Sequence, residues 1–299
     1  MNWVKAWRKS IIKYWQLYLL LIPVIAYYII FKYVPMAGAQ IAFRNFKFNK
    51  GIWDSPWIGL KNFDRFFSSS QSITMIWNTL ALGFLSIIFC FPFPIVLALL
   101  INEIKNNRFK NAVKTITYAP HFVSTIVVVG MMMAMCSPST GVINHVMVEL
   151  GIWEEPLYLM GRARYFRTMY IISAIWKDCG WNAIIFISAL ASIDVGLYEA
   201  AEVDGATPMQ AFWKIKWPQM MPTTLYILVI TTINSFQCFA LIQLLTLGGP
   251  NNSTMTIMYY IYYNAFKLYD YGYGNAMGVI LAIIIAILSA IQFKAGQEK

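Results

Sequence analysis

Long runs of apolar residues alternate with shorter polar segments along almost the whole chain. Six of these runs approach the roughly 20 residues that a helix needs to cross a bilayer. They lie at about 15–34, 73–101, 113–136, 168–192, 223–247 and 275–293. The pattern predicts an all-α polytopic membrane protein with six transmembrane helices. The second run contains Pro92 and Pro94, so we expect a kink or a tilt in that helix.

The composition agrees with this prediction. Of the 299 residues, 59% are hydrophobic and only 12% are charged, whereas about 25% of the residues of a soluble domain are charged. The net charge of +10 could indicate a nucleic-acid partner, but the chain has no basic patch interleaved with aromatic residues. Basic residues that flank membrane spans face anionic lipid, so we predict membrane lipid as a partner and no nucleic acid.

The distribution of basic residues predicts the orientation in the membrane. Residues 1–14 are expected to form a cytoplasmic tail, and the short loop at 102–112 is expected to lie on the same side, because both are rich in lysine and arginine. The summed bias is weak, since the segment 35–72 also carries five basic residues. Six spans would place both termini in the cytoplasm. The tail, with Trp3 and Trp7, is either an interfacial helix or a disordered segment.

No residues of the chain form a recognisable catalytic or metal-binding pattern. The four cysteines, Cys90, Cys136, Cys179 and Cys238, lie in or at the end of apolar runs without a C-x-x-C spacing, so we interpret them as small buried side chains. His121 and His145 stand beside no carboxylate or cysteine and are interpreted as structural. Because a phosphate-binding G-x-x-x-x-G-K-[ST] loop is missing, we expect a non-enzyme that binds no cofactor itself.

Two adjacent charges interrupt the fourth apolar run. Lys177 and Asp178 stand near its middle, flanked by Trp176 and Trp181. A charge at the bilayer centre costs about 3 kcal/mol on insertion scales, so each should face a wet cavity or a partner. Neighbouring residues project about 100° apart on a helix, so the two charges should not simply neutralise each other. They either line a translocation path or pair with other helices.

The fifth apolar run carries amide side chains at helical spacing. Asn234 and Gln237 are three residues apart, so a continuous helix would place them on one face. Such residues either hold helices together or form a stripe that contacts a sugar. Together with Lys177, Asp178 and Trp181, they are the candidates for a substrate path.

A polar segment at 196–218 separates the fourth and fifth runs and has the sequence of two short helices. Good helix formers precede Gly205, which occupies the position of a C-terminal cap. Thr207, Pro208 and Gln210 then match a capping box with proline in the first turn. Phe212 and Ile215 give the second helix an apolar face for which we expect no partner within the chain. The 196–218 segment is therefore predicted to dock onto another protein.

The same segment carries a residue pattern of a known family. The pattern is E-A-A, three residues, G, nine residues, I-x-L-P, with D-G-A at its glycine in many sugar importers. The matching residues are Glu199, Ala200, Ala201, Asp204, Gly205, Ala206, Ile215 and Pro218. Trp217 stands where leucine is usual and keeps an apolar residue there. The segment resembles the coupling loop of bacterial ABC importer permeases, and Phe212 falls within it.

Further residues extend the resemblance over most of the chain. The run L-T-L-G-G-P-N-N-S-T at 245–254 is similar to a motif of the first permease subunit of maltose-type carbohydrate importers, in a branch linked to polysaccharide uptake. The large extra outer domain of the enterobacterial maltose subunit is missing. The resemblance implies a type I ABC importer fold with cytoplasmic coupling helices, in the bacterial cytoplasmic membrane. It also implies one permease domain at 15–299, with its core at about 73–293.

The resemblance implies partners as well. These are a second permease subunit in a heterodimer, two ATPase subunits that use ATP and Mg²⁺, and an extracytoplasmic sugar-binding protein. Glu199 and the turn at Gly205 would then lie in a cleft of an ATPase.

We therefore expect a permease that moves a sugar or oligosaccharide through an ATP-driven importer. The alternative is an ion-coupled secondary transporter of a small polar solute, which would need an intramembrane carboxylate or helices broken at repeated positions. Asp178 is a candidate carboxylate, but no repeat accompanies it, and the 196–218 segment would have no role. A membrane enzyme is a further alternative, for which the sequence offers no catalytic residues.

Overall fold

A computed structural model describes residues 12–249 and 253–297, and the described residues form helices and loops without a β-sheet. The tail around Trp3 and Trp7 lies outside the described residues. The main α-helices are, in chain order, α1 (Trp15–Tyr28), α2 (Lys61–Phe67), α3 (Ser72–Leu85), α4 (Pro92–Glu103), α5 (Asn107–Tyr118), α6 (Thr125–Met135), α7 (Val142–Glu149), α8 (Ala163–Ala191), α9 (Val195–Val203), α10 (Pro208–Ala211), α11 (Trp217–Ser235), α12 (Ala240–Leu245), α13 (Ile257–Tyr262) and α14 (Tyr271–Gln297).

Four helical stretches are long and apolar enough to cross a membrane: Trp15–Phe43, Ser72–Glu103, Pro208–Leu245 and Tyr271–Gly296. Two further pairs of helices are bent, and the number rises to six if each bent pair counts as one span. The prediction of an all-α polytopic protein is therefore confirmed, with four to six candidate spans among the described residues.

The third predicted run, 113–136, does not form one straight helix. The structure divides it into α5, which continues in a 3₁₀ turn at Ala119–Phe122, and α6, and the two parts meet at 97°. Pro120 lies in the turn, and Ser124 caps the next helix by accepting a hydrogen bond from the Val127 amide at 3.4 Å. A proline and a new N-cap end one helix and start another.

The fifth predicted run, 223–247, is also interrupted. Helix α11 ends at Ser235, and α12 begins only at Ala240. The interruption lets the ring of Phe236 pack into the core, where a Cβ atom on Gly83 would lie 2.5 Å from that ring. In the second run, a π-helical turn at Ser86–Cys90 joins α3 to α4 just before Pro92, and such turns are a common cause of helix kinks.

Two hydrophobic clusters hold the helices together. The first lies where α3, α12, α13 and α14 meet, and it includes Leu82, Phe236, Ile242, Ile257 and Met277. The second joins α4, α8 and α11, and it includes Ile95, Ala98, Phe186, Met220 and Ile227. Both clusters are built from residues far apart in sequence, and the second fixes α8 and α11 side by side.

The first span takes almost no part in this packing. None of the residues of α1 is buried within the chain. Only its far end, the 3₁₀ turn at Ala37–Phe43, packs on α14, and Ala42 is fully buried there. The apolar side chains of α1 must therefore be covered by lipid or by another subunit.

The contact between α5 and α8 leaves no room for a side chain at Gly180. A Cβ atom there would overlap the backbone carbonyl of Thr117, whereas a Cβ atom on Gly130 in α6 would meet nothing within 4 Å. Gly180→Ala should therefore force the two helices apart and cost about 1–3 kcal/mol of stability. Gly130→Ala should be neutral or stabilising by up to about 1 kcal/mol, since alanine favours helix.

Thermal unfolding of the purified protein in detergent compares the two variants directly. We expect a lower melting temperature for Gly180→Ala only. Equal melting temperatures would contradict the close contact between α5 and α8.

Candidate functional site

A cavity of about 530 Å³ lies beside α8 and α11 and the π-helical turn that follows α3. Its polar lining comes from several helices and consists of Ser86, His121, Tyr170, Asp178, Asn182, Thr231, Asn234 and Ser235. Aromatic and aliphatic groups such as Trp181, Ile185 and Ile227 complete the wall. Hydroxyl, amide and carboxylate groups beside aromatic faces can bind a polyhydroxylated solute.

A second cavity of about 230 Å³ adjoins the first. Lys177, Thr125, Gln237 and Phe239 line it, and it shares Tyr170, Asp178 and Asn234 with the larger cavity. The five substrate-path candidates therefore lie together in the structure: Asp178, Trp181 and Asn234 line the first cavity, and Lys177 and Gln237 line the second.

The two adjacent charges of α8 have different partners, as the helical geometry predicts. Lys177 donates through Nζ to the Thr125 hydroxyl at 3.2 Å. Asp178 Oδ1 lies 2.9 Å from His121 Nδ1. The ring of His121 in turn stacks on Trp181, with centroids 4.5 Å apart and planes 5° from parallel. The carboxylate, the imidazole and the indole thus form one connected group on the cavity wall.

Sequence reasoning missed His121. The prediction that it stands without a carboxylate partner is wrong, because its ring is hydrogen-bonded to Asp178. This partner lies 57 residues further along the chain. The break between α5 and α6 turns the chain toward α8 and brings the two side chains together. No local pattern around His121 contains this information.

Asn234 and Gln237 line the cavities, but they do so without the shared helical face that the sequence predicts. They do not share a helical face, because α11 ends between them at Ser235. In the turn that follows, the backbone N–H of Gln237 instead donates to the backbone carbonyl of Asn234 at 3.2 Å. Both side chains are exposed in the isolated chain and both line the second cavity.

The cysteines include two cavity residues. Cys90 and Cys179 line the larger cavity and are half-buried, while Cys136 and Cys238 are buried. The interpretation as buried side chains therefore holds for two of the four.

The 196–218 segment has the turn geometry that its sequence predicts. Helix α9 ends at Val203, and Gly205 follows with a φ of +69°. The Gly205 amide donates to the Glu202 carbonyl at 3.1 Å, and the Ala206 amide donates to the Ala201 carbonyl at 2.9 Å. This pair of bonds is the Schellman motif.

The capping box is also present. The Thr207 hydroxyl accepts from the Gln210 amide at 3.3 Å, and the Gln210 side chain accepts from the Thr207 amide at 2.8 Å. Pro208 occupies the first turn. The turn is therefore held by its own hydrogen bonds.

One part of the prediction for this segment is wrong. Phe212 and Ile215 do have partners within the chain and are half-buried. Ile215 packs against the second hydrophobic cluster, and Phe212 contacts the ring of Trp217 at 6.1 Å between centroids. Lys216 also forms an ion pair with Glu103 at the end of α4. These contacts anchor the segment to the helices.

The opposite side of the segment is open. A groove of about 370 Å³ is lined by Leu197, Ala200, Ala201, Asp204, Ala206, Gln210, Ala211, Lys214 and Ile215. Exposed apolar side chains lie near it, with Val203 88% and Met209 65% exposed. Glu199 and Pro218 are exposed as well. Exposed apolar side chains beside a groove are features that protein interaction surfaces share.

The segment is joined to the cavity wall on both sides. Helix α9 follows α8 at a bend of 67°. Helix α10 continues through a π-helical turn at Phe212–Lys216 directly into α11. A displacement of the segment would therefore be carried into both helices that border the cavities.

The family model for the binding-protein-dependent transport system inner membrane component matches residues 76–294. This region contains both cavities and the 196–218 segment. The chain belongs to this family. It is a multi-pass inner-membrane permease and not an enzyme.

A relative and two solved structures extend the comparison. The permease is 34% identical to the polygalacturonan/rhamnogalacturonan transport system permease protein YteP of Bacillus subtilis (strain 168), over 94% of this chain and 89% of YteP. It superimposes on a chain of a bacterial ABC transporter involved in the import of the acidic polysaccharide alginate with a TM-score of 0.85, 35% identity and coverage of 98% and 99%.

The second structure is a bacterial alginate ABC transporter in complex with an alginate pentasaccharide-bound periplasmic protein. A chain of it matches with a TM-score of 0.83, 35% identity and coverage of 95% of this chain and 94% of that chain. Both structures therefore match the permease over nearly its whole length.

The positive φ of Gly205 supplies a test of the turn. Gly205→Val forces a β-branched residue into a left-handed conformation, which costs about 1–3 kcal/mol. Gly151→Val is a matched control, because Gly151 also has a φ of +69° and neither Cβ would meet an atom within 4 Å. Both variants carry the same backbone strain, but only the first alters the 196–218 segment.

We expect Gly205→Val to lose most solute uptake by the assembled transporter and Gly151→Val to retain it, as measured in proteoliposomes. Equal uptake by the two variants would show that the turn at Gly205 has no role in transport.

Proposed function

We propose that this permease translocates a sugar or oligosaccharide that an extracytoplasmic binding protein delivers. The observation that carries the proposal is the polar cavity on α8 and α11, the two helices that lead directly into the 196–218 segment. Polysaccharide transport in YteP and in the alginate transporters supports the class of substrate. Because the family depends on a binding protein, an ion-coupled secondary transporter does not fit.

The assembly we propose contains four further proteins: a second permease subunit, two ATPase subunits and a binding protein. A second permease subunit covers the exposed face of α1 and completes the cavities. One ATPase subunit binds the 196–218 segment of this permease, and the other binds the corresponding segment of the second permease. The ATPases use ATP and Mg²⁺, and this chain holds neither. The alginate transporter that was solved with its periplasmic protein supports the binding protein as a partner.

We further propose six transmembrane spans of a type I importer fold, with each bent pair crossing the membrane once. The tail at 1–14, the single permease domain at 15–299 and the core at about 73–293 follow from the same arrangement. The positive-inside rule supports a cytoplasmic position for both termini and for the 196–218 segment, in the cytoplasmic membrane of a bacterium.

The mechanism is alternating access. Closure of the ATPase dimer on ATP moves the 196–218 segment, and the continuous helix from α10 into α11 carries this movement to Asn234. The bend between α8 and α9 carries it to Asp178. Such coupling requires that the ATPases contact the two states of the permease differently, since equal binding of both states shifts nothing.

Cysteine accessibility tests whether the cavity opens and closes. In a background without the four native cysteines, Asn234→Cys should react with a small hydrophilic thiol reagent, and its rate should change when the ATPases are trapped with nucleotide. Ala183→Cys on α8 is the control, because Ala183 is fully buried and should stay unreactive. An Asn234→Cys rate that is the same in every nucleotide state would exclude a role in alternating access.

Glu199 supplies a test of ATPase docking. We expect its carboxylate to form a charged contact with the ATPase, because it is an exposed carboxylate that opens the E-A-A pattern, directly before the groove residues Ala200 and Ala201. Truncation of one partner of a buried interfacial charge pair costs about 2–5 kcal/mol. Glu199→Ala should therefore strongly lower sugar-stimulated ATP hydrolysis by the purified complex.

Glu202→Ala is the matched control, because Glu202 is an exposed glutamate on the same helix but stands at an unspecified position of the E-A-A pattern. It should hydrolyse ATP nearly as fast as the unchanged protein. The same loss in both variants would point to a general charge effect and not to a specific contact.

A further inference from the structure

A third cavity, of about 390 Å³, lies at the N-terminal end of α8. Two arginines line it, Arg164 and Arg167, together with Asn78 of α3 and Ser253 and Thr254. The opposite end of α8 leads into the 196–218 segment. In the orientation proposed above, this cavity therefore faces the side from which the solute arrives.

The cationic groups continue along α8 toward the centre of the protein. Arg167 and Lys177 are ten residues apart, which places them about 15 Å apart along the helix and within about 80° of each other around it. Tyr170 lies between them and lines both of the inner cavities. The three cavities are thus arranged along one helix. Arg164 and Arg167 line the outer cavity, and Lys177 lines the second.

These cations lack the acidic partners that other basic residues of the chain have. Arg65 pairs with Asp270, and Lys216 pairs with Glu103. In contrast, Arg164, Arg167 and Lys177 have no carboxylate oxygen within 4 Å in the part of the chain that the structure describes.

The hydrogen bonds of these cations go to neutral groups. Arg167 donates to the Asn78 side chain at 3.1 Å, and Lys177 donates to the Thr125 hydroxyl. Among the described residues, Asp178 supplies the only carboxylate that lines the three cavities, and it is hydrogen-bonded to His121. The positive charge along α8 is therefore not balanced locally.

Lys177 lies well inside the span, where an uncompensated cation is costly and usually marks a substrate or ion pathway, while Arg164 is exposed and Arg167 is half-buried at the outer end of the helix. A neutral sugar needs hydroxyl and amide groups but no net charge. A uronic acid carries a carboxylate, and guanidinium groups bind carboxylates through two parallel hydrogen bonds. The arrangement of the charges therefore favours an anionic sugar over a neutral one.

We propose that Arg164, Arg167 and Lys177 bind the carboxylates of an acidic oligosaccharide, built from uronic acid units, as it passes along α8. This inference rests on the proposed function and narrows its substrate class. The outer arginines capture the leading acidic unit, and Lys177 receives it in the second cavity. The positive charge also raises the local concentration of an anionic solute.

The test uses the reconstituted importer with its partner subunits and binding protein. The probes are trisaccharides of galacturonate and of mannuronate, and the same trisaccharides with their carboxyl groups converted to methyl esters. The esters keep the size and the hydroxyl groups of the acids but remove the charge. Uptake into proteoliposomes is measured for each probe.

We expect the unchanged importer to take up at least one acid faster than its ester. Uptake of an ester but of neither acid would overturn the inference while leaving the proposed function intact. Uptake of no probe, acid or ester, would also overturn the inference. A neutral trisaccharide, maltotriose, then tests the proposed function by itself, because a permease for neutral sugars would take it up.

The variants locate the charge effect on α8. The double variant Arg164→Gln/Arg167→Gln and the single variant Lys177→Gln should each raise the KM for the acid about tenfold or more, as the loss of a desolvated charge contact does. Uptake of the ester should not change. Arg167→Lys keeps the charge and should restore most of the acid uptake, which separates a charge effect from a folding defect.

Arg162→Gln is the matched control, because Arg162 is an exposed arginine at the same end of α8 but does not line the cavity. It should leave the KM for the acid unchanged. An equal loss of acid and ester uptake in the glutamine variants would overturn the inference. Such a loss would also be the result if the arginines held the phosphate of an anionic lipid, and it would then vary with the lipid content of the vesicles.

Discussion

Two adjacent charges in an apolar helix, Lys177 and Asp178, have to be satisfied wherever α8 places them. They project in different directions, so one needs a partner on α6 and the other a partner next to α5. The bend of 97° between these two helices brings both partners to α8. Gly180 allows the approach, since it is the position at which α8 lies against the backbone of Thr117. The cavities exist because these polar groups cannot be covered by apolar side chains without a large desolvation cost.

The same helix connects the cavities with the 196–218 segment. Helix α8 leads into α9, and the second hydrophobic cluster fixes α8 against α4 and α11. The 196–218 segment is therefore not a free loop. Its turn is held by the Schellman motif and the capping box, and its inner side is anchored through Ile215 and Lys216. A rigid segment with one anchored side and one open side can transmit force from a partner to the helices.

Part of the surface of the chain is suited only to a larger assembly. Helix α1 buries none of its apolar residues within the chain, and Trp181 on the cavity wall is 42% exposed. The cavity walls are thus incomplete in one chain. Both features agree with a chain whose apolar surface is covered by lipid or by another subunit.

Features that depend on local chemistry follow directly from the order of the residues. Glycine at position 205 and the Thr207–Gln210 pair specify their turn without help from the rest of the chain, because their hydrogen bonds join residues only a few positions apart. The apolar runs determined the membrane class, since the thickness of a bilayer sets the length of a helix. Lys177 and Asp178 were predicted to face a wet cavity or a partner, because they are charges within an apolar run.

Only the tertiary structure decided which distant residues meet. His121 has no local signal, because its partner Asp178 is 57 residues away. The break of the fifth run at Phe236 depends on the pocket that Gly83 provides on another helix. Ile215 packs against the second hydrophobic cluster, whose buried residues all lie outside the segment and cannot be specified by it. Contacts of this kind depend on how whole helices pack, and hydrophobic periodicity does not encode the choice of neighbour.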